Sequence, residues 1–133
     1  MLEFEATPVN TLMETLGMVF IETSKARVVA QMPVGPRVHQ PYGLLHGGAS
    51  VALAETVASY AGWLNVDRET EQVVGVEINA NHLRAKRDGM VTATATPIHV
   101  GRRTHVWDVR IVDEAGKAVC VSRCTLAVVP RGS

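Results

Sequence analysis

The stretch Gly43–Leu64, reading GLLHGGASVALAETVASYAGWL, constrains the chain more than any other. From His46 onward it has the length and small-apolar content of one helix, with no proline to break it. Apolar residues fall on every side of that helix: Val51, Ala52, Leu53, Ala54, Val57, Ala58, Ala61 and Leu64. A helix without a polar face is buried, in a protein or in a membrane. Yet it carries one acid, Glu55, about two turns in, with Ser59 at i+4 on the same face. A carboxylate on a buried helix is costly to desolvate unless it is paired or used.

The start of the helix is the second constraint. His46-Gly47-Gly48 supplies one polar side chain and two residues without Cβ atoms, where the backbone N–H groups lack intrahelical partners. Such an end binds an anion or a developing oxyanion, and glycine lets a ligand come close to the backbone. Glu55 follows Gly47 by eight residues, which at a rise of ~1.5 Å per residue is about 12 Å along the axis. One helix therefore does not set both features on one small reacting group. Two antiparallel copies do, with Glu55 of one beside Gly47 of the other, so the spacing favours a symmetric dimer with two shared sites.

At 133 residues the chain is expected to be one domain, Met1–Pro130, burying roughly two thirds of the surface its unfolded chain exposes. Thirteen Lys and Arg balance thirteen Asp and Glu, so no overall field gathers nucleic acid or an acidic membrane. No charged segment followed by an apolar one opens the chain, which argues against a secretory signal and for a cytoplasmic protein. Ser50, Glu55, Thr56 and Ser59 interrupt the central helix too often for a membrane span. Cys120 and Cys124 lie four residues apart in a strand pattern, so about 13 Å separates them, beyond disulfide reach. They are expected to be buried and reduced.

Around the helix, Asn10–Leu16 reads as a short helical turn closed by Gly17. Met18–Glu22 and Ala26–Val34 read as strands, and Gly35–Gly43, with Pro36 and Pro41, as a loop. Asn65–Gln72 is a polar loop. Beyond it, Val73–Lys86, Met90–Val100, Thr104–Val112 and Lys117–Val129 read as strands, with turns at Asp88-Gly89 and Glu114-Ala115-Gly116. The tail Arg131–Ser133 has the look of a tag remnant and is set aside. Two strands, one buried helix, then four strands give an α+β fold, a curled antiparallel sheet around one long helix.

With that order in place, the residues resemble a known family. Gln40-Pro41-Tyr42-Gly43-Leu44-Leu45-His46-Gly47-Gly48-Ala49-Ser50 followed by Leu53-Ala54-Glu55 is similar to the hotdog-fold acyl-CoA thioesterases of the 4-hydroxybenzoyl-CoA thioesterase group. Within it, the likeness is to the branch holding the 1,4-dihydroxy-2-naphthoyl-CoA and enterobactin proofreading thioesterases. Val74–His82, His99–Arg102 and Val106-Trp107 extend the likeness over about Leu16–Val128. The resemblance implies that the Gly47 N–H polarises the thioester carbonyl. Glu55 of the partner acts as nucleophile or as base for water. Gln40 and His46 position thioester, water or departing thiol, and Ser59 supports Glu55 or the water. It further implies coenzyme A contacts at Gly75, at His82, Leu83, Arg84 and Ala85, and at His99, Val100, Gly101, Arg102, Arg103 and Thr104. The arginines suit phosphates on charge grounds alone.

The implied partners are an acyl-CoA substrate and further copies of the chain, a homodimer and a homotetramer built from two dimers. Neither a nucleic acid nor a membrane is implied. No separate cofactor is expected, since coenzyme A is part of the substrate. The histidines lack the spacing and cysteine partners of a zinc site, and no Gly-x-Ser-x-Gly elbow marks a serine hydrolase. Two alternatives stand beside thioester hydrolysis. One is a hotdog dehydratase, which uses an acid and a histidine in a different placement. The other is a non-catalytic acyl-CoA-binding protein.

Overall fold

The computed structural model describes residues 10–132. Residues 1–9 and Ser133, the last residue of the tail Arg131–Ser133, lie outside the described residues. The elements run α1 Leu12–Leu16, β1 Val19–Thr23, β2 Val28–Val34, a 3-10 turn Pro36–Val38, α2 Gly47–Leu64, β3 Glu71–His82, β4 Gly89–Val100, β5 Thr104–Val112 and β6 Ala118–Pro130. The expected helices and strands are all present. The one sizeable difference is β3, which begins at Glu71, inside the stretch read as a loop, and ends at His82 rather than Lys86. Its cause is tertiary. Glu71 and Gln72 pair with Pro130 and Val129, so a partner strand recruits polar residues that show no strand pattern of their own. At the far end Leu83 still donates to the Val119 carbonyl at 2.8 Å, and the chain then leaves the sheet.

The six strands form one antiparallel sheet in the order β1-β2-β4-β5-β6-β3. Alternation sends every second side chain toward α2. Val28, Ala30 and Met32 of β2, Val91, Ala93 and Ala95 of β4, Trp107, Val109 and Ile111 of β5, and Cys120, Cys124 and Leu126 of β6 are all buried. Against them pack Leu53, Ala54, Val57, Ala58, Tyr60 and Ala61 of α2. The alanines let the helix sit close to the sheet, and Gly62 completes the fit. A Cβ there would run into the Leu126 side chain and stand 3.2 Å from His105 Nδ1. Truncating Leu53, which has no exposed surface, to alanine would cost about 2–5 kcal/mol, the usual loss for an emptied core position.

The ends of α2 are fixed by side chains. Asn65 closes it, donating from Nδ2 to the Ala61 and Lys25 carbonyls at 2.8 and 2.9 Å. The helix is not buried all round, because Val51, Glu55 and Ser59 are only half-buried. No helix of the described residues is long and apolar enough to cross a membrane. The two cysteines are free and buried, as expected from their spacing. β1 and β3 are the edge strands. β3 leaves Val74 and Val76 exposed, at 42% and 63%.

Candidate active site

The first turn of α2 is built by two loops that hold each other. The loop before the helix is bridged at His39 and Leu45. It is tied to the segment after β3 by Leu45 N–H donating to the Lys86 carbonyl at 2.7 Å. His39 Nε2 lies 2.7 Å from the Arg87 carbonyl, a contact that requires the proton on that nitrogen. Glu114 anchors the same segment from the other side, with Lys86 Nζ at 2.5 Å and Met90 N–H at 2.9 Å. The hydrogen bond from Lys86 holds the Glu114 carboxyl down at about 2. Within the loop, Gln40 Oε1 accepts from the N–H groups of Tyr42 and Leu44 at 2.6 and 3.2 Å. Gln40 therefore shapes the turn with its oxygen and keeps its amide NH₂ for another partner.

His46 is the N-cap of α2, its Nδ1 accepting from the Gly48 N–H at 2.8 Å. In the neutral ring this bond places the proton on Nε2. The helix start is then accounted for except at one group. Ala49 and Ser50 donate to the His46 carbonyl, Gly48 to the His46 ring, and the Gly47 N–H has no acceptor among the described residues. Over Gly47 lies the ring of His82, with Nε2 2.8 Å from the position a Cβ would take. Any side chain at residue 47 would displace that imidazole.

Glu55 is half-buried on the third turn of α2 and has no hydrogen bond or ion pair from the described residues. Ser59 is on the same face, half-buried, without a bond to the carboxylate. The Glu55 side chain lies against the backbone of Gly75 on β3, with Oε2 in the space a Cβ of residue 75 would need. Its charge reaches the sheet beneath. Burial pushes the Cys124 thiol up to about 12, and the carboxylates of Glu55 and Glu77 add to the effect.

The two stretches expected at coenzyme A are not together in one chain. His82 pairs with Cys120, whereas Thr104 pairs with Ala127, which in turn pairs with Val74. Val74 and His82 are eight residues apart on β3, or about 26 Å at ~3.3 Å per residue. His82, Leu83, Arg84 and Ala85 are exposed at the α2 N-terminal end. His99, Val100, Arg102, Arg103 and Thr104 are exposed at the other end, where Gly101 N–H donates to the Thr104 carbonyl to close the turn. Arg102 and Arg103 line an open pocket of about 380 Å³ with Thr70, Glu71 and Val128–Pro130. A second groove, about 290 Å³, flanks the α2 start, between it and the segments of Leu12–Leu16 and residues 37–39. Leu12, Leu16, Val38, Ala49 and Ala52 wall it, with Arg37, His39, His46 and Gly48 at its rim.

Two placements escape sequence reasoning. His82 over Gly47 joins residues thirty-five positions apart, and Gly75 under Glu55 joins residues twenty apart. Only the packing of β3 along α2 creates either contact. Among the described residues no three His, Cys, Asp or Glu side chains stand close enough to hold a metal ion.

An uncommitted amide at a helix start takes the negative charge that develops on a carbonyl oxygen, and a carboxylate attacks or deprotonates water. Both features suit the hydrolysis of an activated acyl group. Residues 42–120 match the model of the Thioesterase superfamily, and the chain belongs to that superfamily. It is 50% identical over 117 residues to the 1,4-dihydroxy-2-naphthoyl-CoA hydrolase of Listeria monocytogenes, covering 88% of this chain and 94% of that one. It is 47% identical over 123 residues to the proofreading thioesterase EntH of Cronobacter sakazakii, covering 92% and 89%. The crystal structure of a variant of thioesterase PA1618 from Pseudomonas aeruginosa superposes with a TM-score of 0.89 at 51% identity, over 91% of this chain and 87% of that one. The fold is thus the hotdog fold of these thioesterases, and the protein is an enzyme that hydrolyses thioesters.

Proposed function

We propose that the protein hydrolyses an acyl- or aroyl-CoA to the free acid and coenzyme A at two sites shared between the chains of a dimer. The observation that carries this reading is the state of α2: one uncommitted amide at Gly47 and one unpaired, half-buried carboxylate at Glu55, too far apart to meet within a chain. β3 is an edge strand, and its exposed Val74 and Val76 favour pairing with β3 of a second copy. A two-fold axis near Ile78 and Asn79 sets His82 of one chain across from Gly75 of the other. His82 marks the place of Gly47, and Gly75 marks that of Glu55, so the amide of one chain meets the carboxylate of its partner. The same axis joins residues 82–85 of one chain with Arg102 and Arg103 of the other, a basic surface long enough for the nucleotide and pantetheine of one coenzyme A.

In this arrangement the thioester oxygen accepts from the Gly47 N–H. Pantetheine passes His82, and the acyl group lies beside the helix start, in the groove walled by Leu12, Leu16, Val38 and Ala52. Glu55 of the partner either attacks the carbonyl carbon, giving an anhydride that water then opens, or removes a proton from the water that attacks. The C–S bond breaks as the tetrahedral intermediate collapses; His46 Nε2–H donates a hydrogen bond to the departing thiolate, which takes its proton from solvent. Water is the only co-reactant, so no cofactor beyond the coenzyme A of the substrate is required.

Free thiol released from a panel of acyl-CoAs, with enoyl-CoA hydration followed in parallel, tests the reading. Thiol release without hydration is expected. Hydration alone would make the protein a dehydratase, and tight binding with neither reaction would make it an acyl-CoA-binding protein. Light scattering of the same sample should show a dimer or a dimer of dimers.

A further inference from the structure

We propose that Gly75 is a positioning residue for Glu55, and that the absence of a side chain there is the seat of the carboxylate. The inference rests on the shared-site reading above. Glycine is not required at residue 75 by the backbone. Its φ is not among the positive values, which among the described residues belong to Asn10, Gly17, Gly43, Gly89, Gly116 and Gly132. Within a strand a glycine weakens the ladder and signals a bulge or a close approach. Both are found here. The β3–β6 register shifts between Gly75 and Glu77, and such a bulge re-aims the residues beside it.

The close approach is to one side chain only. A Cβ built on Gly75 would overlap Glu55 Oε2 and stand 3.5 Å from Glu55 Cδ. Among the described residues no other side chain stands within 4 Å of that methyl position. Glu55 has no hydrogen-bond donor or cation from the described residues to hold it, so the shape of the surface under it sets its direction. A single methyl at residue 75 would turn the carboxylate away from its present place. For a group that must meet a carbonyl carbon held by another chain, a displacement of about 1 Å suffices to cost on the order of 10²-fold in rate.

Three variants test this: Gly75→Ala, Glu55→Asp and the two combined, each measured for kcat, KM and melting temperature. Gly75→Ala is expected to lose about 10- to 100-fold in kcat, with KM and melting temperature close to the parent. Glu55→Asp draws the carboxylate back by one methylene and makes room for the methyl. The double variant should therefore lose clearly less than the product of the two single losses. Independent, multiplicative losses would overturn the proposal. So would a Gly75→Ala enzyme with raised KM and intact kcat, which would make Gly75 a substrate contact, or one that loses its fold instead of its kcat. An inactive parent, or a Glu55→Gln variant with parental kcat, would instead remove the site reading beneath it.

Discussion

Gly47 and Glu55 lie on one helix but do not meet within one chain: eight residues of α2 keep them about 12 Å apart along the axis. Each is uncommitted. The Gly47 N–H has no acceptor and the Glu55 carboxylate no donor among the described residues. On the proposed mechanism, Glu55→Gln keeps size and hydrogen-bonding capacity but removes the group that attacks or accepts a proton. A kcat loss on the order of 10²–10⁴ is expected, the range for losing a positioned base. The melting temperature should hold or rise, because an unpaired, half-buried charge is gone. Measuring both on one preparation separates this from a structural acid, whose loss would lower the melting temperature first.

How much of this was legible in the chain depends on the range of the interaction. α2 and its start follow from Gly43–Leu64 alone, since a glycine pair, a capping histidine and a run of small apolar residues are local signals. Thr104–Val112 is read to the residue because Trp107, Val109 and Ile111 alternate cleanly. β3 is misplaced at both ends because its pairing with β6, not its own pattern, extends it to Glu71. Within the site, Glu55 and Gly47 are visible in sequence. The residues packed against them, His82 over Gly47 and Gly75 under Glu55, are not, since packing at a distance makes both contacts.

Arg102 and Arg103 form the exposed turn between β4 and β5, far from any carbonyl chemistry. Replacing both with alanine should raise KM for CoA substrates more than it lowers kcat, the mark of ground-state binding. The KM of the parent should also rise with salt more steeply than that of the double variant. An unchanged KM would return the pair to the solvated surface.

Ala52 walls the groove assigned to the acyl group, and it is half-buried, so a larger side chain enters the groove rather than the core. Ala52→Leu should lower kcat/KM for bulky aroyl-CoAs relative to acetyl-CoA by about tenfold or more, the scale of a few methylenes in an apolar pocket. Parallel losses on both substrates would place the acyl group elsewhere.

His105 gives the fold a pH dependence of its own. It is buried beside Gly62, with Trp107 Nε1 donating to its Nδ1 at 3.4 Å. Burial is the main force that lowers its pKa below 6.5; His99 lowers it further, and Glu71 opposes. The unfolded chain then binds a proton that the folded chain refuses. Stability is full above about pH 6.5 and falls as the pH drops below it, toward the folded value. Denaturant titrations at pH 8 and pH 5.5 should show this fall, and His105→Leu should flatten it. Glu114 acts lower on the scale. Its contribution is present above its ordinary value of 4.5 and is lost as the pH falls toward about 2.

The shared site is tested most directly by a mixed dimer. Gly47→Pro removes the one uncommitted amide, and proline suits the first helical position, where its fixed φ is already that of a helix. His46 has φ −67° and ψ 130°, a conformation that a following proline allows. The ring of His82 must move aside, and it is exposed. Homodimers of Gly47→Pro and of Glu55→Gln should each lose on the order of 10²-fold or more in kcat. A dimer with one chain of each kind, isolated through two different tags, has one site with a native Gly47 facing a native Glu55 and one site with neither. It should recover close to half the kcat of the parent dimer. A mixed dimer no more active than its two parents would contradict a site made from both chains.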